Sequence, residues 1–137
     1  MATKVLDSWA LMAFLHDEPG AEEVEKLLLK AAQETHKLLL CVVNWGEIYY
    51  SIARAEGVAV AEQKAADLAT LAIELVPVDA DLKLVREAAK FKAAKKMSYA
   101  DCFAAALAKT RNAELVTADP EFKEVEKEVK IFWLTPR

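Results

Sequence analysis

Short, continuously apolar runs alternate along the chain with longer stretches of helical periodicity. The apolar runs at 4–6, 38–43, 73–78, 114–117 and 130–134 predict strands. Between them apolar residues recur at three- and four-residue intervals, which predicts helices over 8–15, 21–33, 44–56, 59–72, 79–96, 98–111 and 120–126. Strands that are apolar throughout, instead of on alternate residues, are buried on both faces. The alternation therefore specifies a parallel sheet covered by helices on each side, a three-layer α/β/α fold of the α/β class. In such sheets ligands bind beyond the carboxyl ends of the strands, near the point where strand order reverses. Chemistry is to be sought just after each strand and at the helix starts that share that edge.

Composition narrows the picture. With 137 residues, 3 Gly and 4 Pro, and no repeat or low-complexity stretch, the expectation is one domain over 1–137. A hydrophobic fraction of 55% excludes a disordered chain. No apolar run reaches the roughly 18 to 20 residues that a membrane span requires. The first twenty residues carry one Lys, and Asp7 interrupts their apolar run early, so they do not read as a secretion signal and a cytoplasmic location is expected. Cys41 and Cys102 each lie in an apolar stretch and read as buried free thiols. Together with His16 and His36 they lack the close spacings of a zinc site.

Four acids occupy the predicted ligand edge. Asp7 follows the first strand, Glu47 and Asp101 fall in the first turns of helices, and Asp119 stands two residues beyond the fourth strand. Each also has a structural explanation. Asn44 with Glu47 and Ser98 with Asp101 have the spacing of a capping box, Asp119 before Pro120 reads as an N-cap, and Asp7 ends a strand in a turn. Taken together they say more. If the first and fourth strands are neighbours, four carboxylates face one crevice, where they would take up protons unless cations neutralise them. Carboxylate oxygens suit Mg²⁺ or Mn²⁺, whereas softer metals would seek Cys or His. Such an ion can polarise a phosphoryl oxygen, activate water and stabilise a leaving oxygen. No protein nucleophile with a base is evident, Ser8 included, so metal-assisted phosphodiester hydrolysis is the economical reading.

Three blocks, KVLDSWALMAFL, VVNWGEIYY and KMSYADCFAAALAKTRNAELVTADPEF, resemble the PIN-domain nucleases and, within them, the VapC-type toxins of toxin–antitoxin pairs. They run in the family's order and, with their connecting helices, cover nearly the whole chain. The resemblance implies a parallel sheet of order 3-2-1-4-5, which brings Asp7 and Asp119 together. It further implies that Asp7, Glu47, Asp101 and Asp119 hold Mg²⁺ or Mn²⁺, with the Ser8 and Thr117 hydroxyls supporting the acids or a water. The implied activity is endoribonuclease cleavage of tRNA or rRNA, the implied partner a VapB-type antitoxin, and the implied assembly a homodimer. Trp45, Tyr49 and Tyr50, on or near the Glu47 helix, either face such a partner or pack in the core. Trp9 and Trp133 read as core.

Charge needs the same care. The net charge of −4 argues as a sum against nucleic acid, but residues 83–96 carry +5 and leave −9 for the remainder. This segment leads into Ser98 and Asp101. Lys90, Lys92, Lys95 and Lys96, extended by Lys109 and Arg111, therefore form a candidate RNA-binding patch, although charge runs are often only a solvated face. Binding to RNA is expected to be weak until metal offsets the acids. Three other readings compete: a family member outside a toxin–antitoxin pair, a non-catalytic binding module of the same fold, and a phosphoacceptor domain of the receiver or haloacid-dehalogenase kind. The last fits poorly. A dehalogenase motif needs a second Asp where Trp9 stands, and a receiver needs an acidic pair where Asp7 has only Ser8, although Asp79 and Asp81 could mimic its acceptor.

Overall fold

Along the first strand, β1 (Ala2–Leu6), Val5 and Leu6 point to opposite faces and both are fully buried, as a strand covered on two sides requires. The computed structural model describes residues 1–135. Four more strands, β2 (His36–Cys41), β3 (Glu74–Val76), β4 (Glu114–Thr117) and β5 (Ile131–Trp133), pair with β1 in the order β3-β2-β1-β4-β5. All pairings are parallel. The helices are α1 (Ser8–Leu15), α2 (Ala21–Ala32), α3 (Val42–Glu56), α4 (Val58–Ala69), α5 (Lys83–Ala94) and α6 (Tyr99–Thr110), with a 3₁₀ helix over Pro120–Val125. None is long and apolar enough to cross a membrane.

The alternation of side chains along the strands divides the core in two. Val5, Leu39, Cys41 and Leu115 pack with Phe91 of α5, Phe103 of α6 and Phe122 of the 3₁₀ helix. Leu6, Leu38, Leu40 and Val116 pack on the other face with Leu11, Val24, Ile48, Ile52 and Leu68 of α1 to α4. α6 is the most enclosed helix, buried without a break from Asp101 to Ala108. Its run of alanines lets it lie close against both the sheet and α3. Cys41 and Cys102 are free and buried, and burial pushes both thiols up, away from reactivity. Trp9 and Trp133 are half-buried at the margins of the two clusters instead of inside them.

The predicted fold class and strand order agree with the structure, and the element boundaries are where it departs. Val42 and Val43, apolar and β-branched, do not extend β2. The chain turns at Cys41 directly into α3, so these two form the helix's first turn. Asn44 is consequently inside the helix and caps nothing. The last predicted helix is a 3₁₀ segment of six residues, opened by the Asp119 cap and Pro120.

Candidate active site

The register pairs Leu6 with Val116, so β1 and β4 end side by side and deliver Asp7 and Asp119 to one edge. Asp7 is engaged through both of its carboxylate oxygens. Its Oδ1 accepts from the Ala10 N–H at 2.8 Å, capping α1, and its Oδ2 accepts from the Thr117 hydroxyl at 2.6 Å. Thr117, fully buried, also accepts from the Asp119 N–H at 2.9 Å. Asp119 Oδ1 in turn accepts from the Glu121 N–H at 2.9 Å, capping the 3₁₀ helix. One hydroxyl thus ties the ends of two strands and orients two acids.

Glu47 comes from α3, where the Ser8 hydroxyl donates to its Oε1 at 2.5 Å. Asp101 comes from the first turn of α6. Ser98 caps that helix as expected, its Oγ accepting from the Asp101 N–H at 3.2 Å. The reciprocal half of the capping box is absent. The Ser98 N–H donates to Glu121 at 2.5 Å, which leaves the Asp101 carboxylate free to face the other acids. Glu121 is the candidate site residue that sequence reasoning missed. Asp101, Asp119 and Glu121 each offer one oxygen, all within 4.8 Å of one another. The signal was its position two residues after Asp119, masked because an acid in a first helical turn is favoured by the helix dipole anyway.

The electrostatics follow from this crowding. Asp7 is pushed up to about 7, chiefly by burial, with the charges of Asp119 and Glu47 adding to it against the two hydrogen bonds it accepts. Asp101 is pushed up to about 8, by burial first, then by the hydrogen bond and charge of Glu121 and the charges of Asp119 and Asp7. Asp7 thus feels Asp119 and Glu47, and Asp101 feels Asp119 and Asp7, while of the four predicted acids only Asp101 and Asp119 belong to the close group of oxygens. An all-carboxylate donor set with three oxygens this close suits a hard divalent cation such as Mg²⁺ or Mn²⁺ and offers nothing to a softer one. Asp79 and Asp81 lie outside it, exposed beyond β3 at the sheet edge.

Residues 4–128 match the model of the family described as PIN domain. The chain belongs to the PIN domain family. No curated protein matches it in sequence. The fold of this PIN domain is also that of solved toxin–antitoxin structures. DNA-bound VapBC from Salmonella typhimurium is similar at a TM-score of 0.74 and 14% identity, covering 96% of this chain and 98% of that one. VapBC2 from Rickettsia felis, bound to a promoter DNA fragment, gives 0.72 and 14% over 97% and 99%. Mycobacterium tuberculosis VapC20, a toxin that cleaves the sarcin–ricin loop, gives 0.56 and 17% over 82% and 86%.

The candidate basic patch is divided by the fold. α5 and α6 pack as a hairpin, so Lys92, Lys95 and Lys96 lie at the end nearest the acids, while Lys109 and Arg111 lie at the far end of α6. Lys90 and Lys109 both pair with Glu87, and Lys95 pairs with Glu128 at 3.0 Å. Lys92 donates to the Met97 carbonyl. Among the described residues, the Lys96 ammonium and the Arg111 guanidinium have no acidic partner within an ion-pair distance. Trp45 and Tyr49 stack at 5.6 Å, and the Tyr49 hydroxyl donates to Glu62 of α4, so both help join α3 to α4. Only Tyr50 of the three is exposed, with the Arg54 guanidinium over its ring.

Proposed function

We propose that this PIN domain is a divalent-metal-dependent endoribonuclease of the VapC toxin type, which cleaves tRNA or rRNA and is held inactive by a VapB-type antitoxin. The observation that carries the reading is the convergence of Asp7, Glu47, Asp101 and Asp119, joined by Glu121, on one edge of a PIN fold. The near-complete mutual coverage with VapBC chains supports the toxin assignment, and the sarcin–ricin loop activity of VapC20 supports RNA as substrate. A cytoplasmic homodimer is the form in which we expect it to act.

Asp101, Asp119 and Glu121 would hold the cation, with Asp7 and Glu47 beside it. When bound, Mg²⁺ or Mn²⁺ supplies the charge that offsets a scissile phosphate and favours attack by water. The chain's own residues prepare that site. Thr117 fixes Asp7 and Asp119 in mutual register, Ser8 fixes Glu47, and Glu121 takes the Ser98 N–H that would otherwise engage Asp101. The N-termini of α1, α6 and the 3₁₀ helix are capped by or carry these acids, so their dipoles lower the cost of holding so much negative charge. Lys96, at the near end of the α5–α6 hairpin, would gather phosphates.

The test is cleavage of total tRNA and rRNA by the purified chain with Mg²⁺ or Mn²⁺, with EDTA, and with Asp7→Asn. Cleavage that EDTA and Asp7→Asn both abolish is the expected result. Equal cleavage in EDTA would sink the proposal.

A further inference from the structure

The turn that joins α5 to α6 is tied down from both sides. From its own hairpin, the Lys95 N–H donates to the Phe91 carbonyl at 2.8 Å, the Lys92 ammonium donates to the Met97 carbonyl at 2.8 Å, and the Met97 side chain is buried in the core. From across the surface come three carboxylates of the 3₁₀ helix and the residues after it. Glu121 accepts from the Ser98 N–H at 2.5 Å, Glu124 accepts from the Lys96 N–H at 3.2 Å, and Glu128 pairs with the Lys95 ammonium at 3.0 Å. Residues three apart on a 3₁₀ helix lie one above the other, about 6 Å along its axis. Phe122 and Val125 use that repeat to enter the core, and Glu121 and Glu124 use it to reach two amides of the facing turn.

Glu121 is already accounted for, since it belongs to the close group of acids. Glu124 is not. It is exposed, it lies outside that group, and it sets a negative charge where the reading above brings RNA. What it holds explains it. Lys95 is spent on Glu128, whereas the Lys96 ammonium, next along the turn and exposed, has no acidic partner among the described residues. The Lys96 N–H is fixed one 3₁₀ turn away from the amide held by Glu121, so the lysine leaves the backbone in a set direction beside the acids. A cation carried on a fixed backbone loses less freedom on meeting a phosphate than one on a loose turn. We propose that Glu124 is a positioning residue for RNA, acting through the Lys96 backbone: a carboxylate that strengthens the hold on a polyanion. The inference rests on the RNA reading above and gives the free cation of this turn its support.

The sign of the effect tests it. Every arm, the parent included, is the full chain carrying Asp7→Asn, so that bulk tRNA stays whole in Mn²⁺, and binding is read by filter retention at moderate salt. An acid that merely stood near the RNA would repel it, and Glu124→Ala would then tighten binding. A roughly 3- to 10-fold weakening is expected instead, the worth of one hydrogen bond. Glu124→Gln, which keeps the acceptor and sheds the charge, should bind as the parent does or tighter. With Lys96→Ala in place, Glu124→Ala should no longer weaken binding, because the cation it supports is gone. Glu124→Ala that binds as tightly as the parent or tighter overturns the inference. So does Glu124→Gln as weak as Glu124→Ala, or the same weakening with and without the Lys96 ammonium. Mn²⁺ affinity, read from the free-ion EPR signal without RNA, should be equal in the parent and both Glu124 variants; its loss in Glu124→Ala would place the effect at Glu121 and the acids, and would also overturn the inference. If the parent binds no tRNA, the RNA reading and this inference fall together. If the parent binds and Glu124→Ala binds equally, only the inference falls.

Discussion

Thr117 does more for the site than its size suggests. Its hydroxyl donates to Asp7 Oδ2 and accepts from the Asp119 backbone, so a single oxygen sets the spacing of the two strand-end acids. Thr117→Val keeps the shape, and β-branching suits the strand, but it leaves Asp7 Oδ2 and the Asp119 N–H bare. We expect a roughly 10- to 100-fold loss of Mn²⁺ affinity, by the usual effect of an outer partner, with the fold retained. The Thr117 bond also lowers the Asp7 carboxyl, so its titration should move further up in the variant. Isothermal titration with Mn²⁺ and a carbon-13 NMR titration of Asp7 check the two effects. Asp7, Asp101 and Asp119 were legible in the sequence because each stands directly at a strand end or helix start that its neighbours announce. Glu121 was not, hidden by the ordinary preference of helix starts for acid.

At the scale of elements, the apolar runs located every strand, but they could not say where β2 stops, because Val42 and Val43 are as apolar inside α3 as they would be inside the sheet. Nor could they show how β1 and β4 are held in register at the end away from the site. There Lys4, directly opposite Glu114, is buried, donates to its carboxylate and lies 5.0 Å from the centre of the Phe132 ring. Its ammonium cannot reach water readily, so loss of the acid strands a charge. Breaking a fully buried pair costs roughly 3–5 kcal/mol. The Glu114 side chain is 31% exposed, so for Glu114→Gln the expected loss is smaller, about 2 kcal/mol. Urea unfolding measures it, and Lys4→Met with Glu114→Leu should recover much of the deficit, since a packed apolar pair does not need the ion pair. A double variant as unstable as Glu114→Gln would show that the pair contributes something besides relief of a stranded lysine.

For the molecule as a whole, charge is separated, with acids at the ends of β1 and β4 and cations along the α5–α6 hairpin. Because Lys95 is engaged by Glu128, Lys96→Glu should weaken RNA binding more than Lys109→Glu at the hairpin's far end, with Mn²⁺ affinity unchanged; filter binding over a salt series separates them. The acids set a second global property. Unfolded, Asp7 and Asp101 ionise near 3.8; folded, near 7 and 8. Between those limits the folded chain holds more protons than the unfolded one, so stability is highest at the acidic end and falls as pH rises from about 4 to about 8. A cation that binds the ionised acids of the folded state alone must reverse the loss, and must do so most at high pH, where protons no longer compete for the oxygens. In EDTA the melting temperature should therefore decline from pH 5 to pH 8, with Mn²⁺ restoring it at pH 8 and barely changing it at pH 5. Asp7→Asn, which cannot ionise, should flatten the decline and shrink the Mn²⁺ effect together. A melting temperature in EDTA that climbs over the same range would mean that these carboxyls ionise freely in the folded chain and that their crowding carries no strain for a cation to relieve.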